Sequence, residues 1–121
     1  MDSNFKDLLV WERAQRLTLV VYKMTEWFPN EPRFGIKSQL RLTVLNIPSS
    51  IAKGWEMRED PDLAIPCIKT ACIAVEQVKT SLLAARELHL LDEFAYKLVT
   101  QRATELHPLL TNLIQRIETG L

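Results

Sequence analysis

The sequence predicts an all-α protein: an up-down-up-down antiparallel four-helix bundle, one domain over residues 1–121. Three observations carry that expectation. Apolar residues recur at helical spacing, with few alternating runs and only three glycines. The stripes they form keep the period of about 3.5 residues that bundle packing uses. Short connections rich in proline, asparagine or aspartate separate the stripes.

The first helix has its start signal at Asn4, whose side chain can cap the amide of Lys6 or Asp7. Val10, Ala14, Leu17, Val21, Met24 and Phe28 form its stripe, with charged residues over much of the remainder and Val20 and Trp27 as apolar exceptions. Pro29 and Pro32 end it. The second helix is the central one, Ile36 to Gly54, with Ile36, Leu40, Val44, Ile47 and Ile51 toward the core. Pro48 predicts a kink, because it removes a backbone hydrogen bond and crowds the carbonyl of Val44. Gly54 is placed to close this helix in the left-handed conformation, and residues 55–59 form a connection. Asp60, Pro61 and Asp62 then mark a helix start by a capping carboxylate, a proline at the first helical position and an acid near the positive helix end. The third stripe runs through Ile68, Ala71 or Cys72, Val75, Val78, Leu82 and Ala85, widened by Leu83 and Leu88. Pro66 either distorts the first turn or delays the regular helix to Ile65. His89 falls near the C-terminal end, where a charged imidazole suits the dipole. Asp92 caps the fourth helix, whose stripe is Tyr96, Val99, Ala103, Leu106, Leu110, Leu113 and Ile117. A kink is expected between Thr104 and Pro108, and Gly120 stops the helix.

The central helix carries a second apolar arc, opposite the first, made of Leu42, Leu45, Ser49 and Ala52. An outer face of a monomeric bundle has no need of it. Two readings stay open: a helix packed centrally within one chain, or a face covered by another subunit, with Trp27 counted among the candidate interface residues.

Lysine plus arginine equals aspartate plus glutamate at 15 each, so the molecule projects no strong overall field and polyanion binding requires a local patch. No apolar run approaches the ~20 residues of a membrane span, and the first residues lack the order of a secretion signal, which points to the cytoplasm. Cys67 and Cys72 point to different sides of one helix and are expected as buried free thiols.

Chemistry is sparse. A di-iron bundle site needs Glu-x-x-His pairs on one face, whereas Glu87 and His89, like Glu105 and His107, stand two apart. Zinc-ligand spacing, a nucleophile elbow and a phosphate-cradling glycine loop are likewise missing, so neither a metal, a cofactor, a small-molecule ligand nor a catalytic residue is assigned. Cys72 reads as core, and Glu59, Asp60 and Asp62 as capping acids. What remains is a candidate nucleic-acid surface: Arg33, Lys37 and Arg41 at the approach to and first turns of the central helix, with Arg13, Arg16 and Lys23 on the first. The competing reading is ordinary solvated helix surface balanced by Glu12, Glu26 and Glu31. Repeated around a symmetric oligomer, even a modest patch becomes a charged band.

The order FKDLLVWERAQRLTLVVYKMTEWFP, FGIKSQLRLTVLNIPSSIAKG and ACIAVEQVKTSLLAARELHLL resembles the bacterial four-helix-bundle proteins encoded in 23S rRNA intervening sequences. Ser38, Gln39, Arg41, Ile47, Pro48, Ile51, Ala52 and Gly54 match that family's central motif, and Glu76 stands at its third-helix glutamate. Leu42, Thr43, Asn46, Ser50 and Lys53 depart from the motif, as do Cys72 and Ile73. The resemblance implies a ring-shaped homopentamer with no established activity. It also extends to accessory proteins of diversity-generating retroelements, which form comparable pentamers, bind nucleic acid and a reverse transcriptase, and are strongly basic where this chain is neutral. Together these readings predict a non-enzymatic homo-oligomer that contacts RNA or a nucleoprotein partner through its basic side; the alternative is a structural or protein-binding ring without nucleic-acid affinity.

Overall fold

A computed structural model describes residues 4–29 and 35–120, and every regular element among them is helical. A single 3₁₀ turn, Phe5–Asp7, precedes α1 (Leu9–Thr25), α2 (Ile36–Glu56), α3 (Pro61–Glu87), α4 (Glu93–Thr104) and α5 (Leu106–Thr119). The last two are halves of the expected fourth helix. No helix among the described residues is long and apolar enough to cross a membrane.

The expected stripes meet in one core. Val10, Ala14, Leu17 and Val21 of α1, Leu40, Val44, Ile47 and Ile51 of α2, Ile68, Val75, Val78 and Leu82 of α3, and Val99 through Ile117 of α4 and α5 are buried together. Phe28 joins them from the turn beyond α1. Packing is most extensive between α2 and α3; α1 also packs on α2, and α4 and α5 pack on both α1 and α3. Leu83 and Leu88 stay exposed and do not widen the third stripe.

Several local expectations are corrected. Asn4 caps the 3₁₀ turn rather than α1: its side chain accepts from Lys6 N at 3.0 Å while its own N–H donates to Asp7 Oδ2 at 3.3 Å. Asp60 is the residue before α3, with Pro61 at the first position, yet its side chain makes no capping bond; its backbone carbonyl accepts from Leu63 and Ala64 instead. The α3 helix runs unbroken through Pro66, which lies on the exposed side. Both cysteines are free but only half-buried.

One position in α2 departs most from expectation. Gly54 does not end the helix. It lies inside α2, buried, where a Cβ would run into the Ile68 side chain and come 3.1 Å from the Ala64 carbonyl oxygen. Its value is close approach of α2 to α3, and Trp55 continues the helix as a core residue. Pro48 is buried, and α2 continues on both sides of it. Its missing N–H deprives the Val44 carbonyl of the usual helical donor. The buried Thr18 hydroxyl of α1, 2.9 Å from Ala14 O, also lies 3.4 Å from Val44 O, so a side chain on the neighbouring helix approaches the acceptor that proline leaves open.

At the end of α3, His89 adopts φ 62, the left-handed region. Its N–H donates to Arg86 O at 3.0 Å and Leu90 N–H to Ala85 O at 2.8 Å, the paired bonds of a Schellman closure usually built on glycine. Asp92 caps α4 as expected, accepting from Ala95 N at 2.7 Å. The register breaks at Glu105, within the segment where Pro108, lacking an N–H, was expected to interrupt the fourth helix.

Candidate functional site: an outer helix face and a basic groove

The outer arc of α2 is uncovered. Leu42 and Leu45 retain 65% and 42% of their surface, Ser49 is exposed and Ala52 half-buried. α1, α3 and the 3₁₀ turn Phe5–Asp7 pack on α2, and together they leave Leu42 and Leu45 uncovered. Ser49 donates back to Leu45 O at 2.9 Å, which removes its hydroxyl as a free polar group on this face. Trp27, in the turn after α1, is 88% exposed.

The six expected basic residues do not form one surface. Arg33 lies outside the described residues. Arg41 turns inward and closes the end of α1: Nε donates to Thr25 Oγ1 at 2.8 Å, a terminal N–H donates to Tyr22 O at 2.9 Å, and the guanidinium lies 4.9 Å from the Tyr22 ring centroid. A cation at the carbonyl end of a helix also suits its dipole. Lys37 is half-buried and Lys23 exposed. Arg13 and Arg16 instead line a groove between α1 and α4 of about 390 Å³. They share it with Leu98, Gln101 and Arg102 of α4, with Glu105 just beyond, and Leu17 at its base. Arg16 pairs with Glu12 at 2.7 Å, both largely exposed. Arg102 was missed in the sequence because only the packing of α4 on α1 brings it to Arg13; its one signal is its position in the last turn before the helix break.

Other arginines are engaged with rings. Arg58 and Arg116 lie 4.4 and 5.1 Å from the ring centroid of buried Trp55, joining the ends of α2 and α5, and Arg86 lies 4.3 Å from that of Tyr96. The motif residues divide: Ile47, Pro48, Ile51 and Gly54 are packing residues, whereas Ser38, Gln39 and Glu76 are exposed. Gln39 and Glu76 border a shallow groove with Cys72, Ile73 and His107, and Glu76 pairs with Lys79 at 3.2 Å. Burial pushes the Cys72 thiol above its ordinary pKa, which disfavours the nucleophilic thiolate.

A family model described as 23S rRNA-intervening sequence protein matches residues 6–112. No curated protein matches the chain.

Proposed function

From the premise that this chain belongs to the 23S rRNA-intervening sequence protein family, we propose that it is a non-enzymatic interaction protein that acts as a homo-oligomer and contacts RNA or a nucleoprotein through a local basic surface. In this reading each subunit is an up-down-up-down bundle, five of them close into a ring, and the ring works in the cytoplasm. The observation that carries the proposal is the uncovered outer face of α2, Leu42 and Leu45, on a helix whose inner face is already filled. Fully burying an exposed leucine side chain is worth ~1.5–3 kcal/mol; Leu42 and Leu45 each have a fraction of that left to gain, repeated around a closed ring. At Cys72 the raised thiol pKa disfavours the thiolate that a cysteine nucleophile would need.

Sedimentation velocity over a range of concentrations, on wild type and Leu45→Arg, tests the assembly. Wild type is expected as a discrete oligomer, and the variant as a monomer of unchanged helicity. A monomeric wild type at high concentration overturns the ring.

A ring without nucleic-acid affinity is the second reading. It is favoured by zero net charge and by the inward engagement of Arg41, one of the six residues of the expected basic surface.

A further inference from the structure

Seven of the chain's arginines lie in the described residues, and four of them, Arg41, Arg58, Arg86 and Arg116, are held close to aromatic rings of the fold. The three not so held, Arg13, Arg16 and Arg102, line the same groove. We propose that this α1–α4 groove is a binding site for the phosphodiester backbone of single-stranded RNA. The inference rests on the RNA-binding reading above and moves it from the α1–α2 side to the α1–α4 side.

Three features of the groove point to this ligand. Guanidinium forks match phosphate oxygens bidentately, and Arg13 and Arg102 have no ionic or hydrogen-bonding partner among the described residues. Arg16 has one in Glu12, but an exposed pair one helical turn apart is weak and readily exchanged for a phosphate. The remaining lining is mixed. Glu105 is an acceptor, Gln101 both donor and acceptor, and Leu98 an apolar surface left partly in water. A nucleotide brings all the complements at once: phosphate for the arginines, ribose hydroxyl and base N–H groups for Glu105 and Gln101, and a base face for Leu98. Glu105 repels phosphates and a chain of carboxylates alike, so the choice between the two rests on the ribose hydroxyl and the base face that a nucleotide adds for Glu105, Gln101 and Leu98. On those added complements the groove favours RNA over an acidic peptide.

The test is fluorescence anisotropy of a short labelled single-stranded RNA of mixed sequence, titrated with the full-length protein at low and near-physiological salt. The variants are Arg102→Glu, Arg102→Gln, Arg13→Glu and Lys37→Glu, with inorganic phosphate and polyglutamate as competitors. Arg13 and Arg102 are exposed, so these variants keep the fold, which far-ultraviolet circular dichroism checks. The expected result is about a tenfold loss of affinity in Arg102→Glu and Arg13→Glu, a smaller loss in Arg102→Gln, and a log–log salt slope shallower by about 0.7 for each phosphate contact removed. Lys37→Glu is expected to stay within about twofold of wild type. RNA binding that falls in Lys37→Glu and survives in Arg13→Glu and Arg102→Glu overturns the groove while leaving the RNA reading intact. Absence of RNA binding at low salt overturns both. Displacement of RNA by polyglutamate at equal charge concentration assigns the groove to acidic protein and overturns the phosphodiester assignment. Displacement by millimolar inorganic phosphate reduces the site to a single-phosphate pocket and overturns it as a backbone track.

Discussion

On the inner side of α2, Leu40, Val44, Ile47 and Ile51 are fully buried, while on the outer side Leu42 and Leu45 of the same helix keep 65% and 42% of their surface in water. Side-chain chemistry alone does not separate the two faces, since leucine occurs on both. What separates them is the company each keeps: α1 and α3 close over one, and the described chain covers the other only in part. The inner face has used its burial to stabilise the subunit. The outer face holds burial in reserve, and that reserve is what the assembly proposal draws on.

The comparison can be broken most severely at Val44. Val44→Asp places an unpaired carboxylate at a fully buried position, at a cost of several kcal/mol and on the order of the whole stability of a small domain. Loss of far-ultraviolet ellipticity and of a cooperative thermal transition is expected; a folded variant would mean that the two faces have been exchanged. Gly54→Ala probes the inner face at its closest approach. The added methyl meets Ile68 and the Ala64 carbonyl, and overpacking of this kind costs ~1–3 kcal/mol, against about 1 kcal/mol gained in helix propensity. Urea unfolding should report a net loss, and a gain would show that α2 and α3 can separate freely at this end.

Thr18→Val sharpens the picture further. It keeps the shape and removes the hydroxyl near the Val44 carbonyl, with an expected loss of ~1–2 kcal/mol in urea unfolding. The loss should shrink in a Pro48→Ala background, where an N–H becomes available to the same carbonyl, and a double-mutant cycle with no coupling would detach Thr18 from the proline. The smallest effect on the subunit itself is expected at the outer face. Leu45→Arg should change its unfolding free energy by no more than ~0.5 kcal/mol, the scale of a surface substitution, while abolishing assembly.

The helical class and most core positions were legible from spacing, whereas buried Trp55 and Leu91 read as connections. The first, second and fourth stripes emerged almost intact because a bundle core is a one-dimensional pattern written along each helix. What spacing could not reveal were relations between helices. Gly54 reads as a helix terminator because glycine near the end of a stripe usually is one, and only the position of Ile68 on α3 shows that close contact is its purpose. Pro48 announces an orphaned carbonyl at Val44, but the hydroxyl that approaches it, Thr18, lies on another helix. For the candidate site the gap is wider. Arg41 belonged, by sequence, with Lys37 on a cationic seam, yet it points to the end of α1, and Arg102 entered only through tertiary packing. A charge's neighbours in space decide whether it is available, and helical period is silent on them.

The three tryptophans occupy three different surroundings. Trp11 is half-buried edge-on to Phe5, with ring centroids 5.2 Å apart; Trp27 stands almost wholly in water; and Trp55 is buried beside two guanidinium groups. The chain therefore carries its own optical reporters. Red-edge emission and collisional quenching belong mainly to Trp27 and change when something covers that turn, whereas the response of Trp55 stays shielded until the ends of α2 and α5 come apart. Assembly and unfolding can thus be followed as separate spectral events in the same cuvette, without a label.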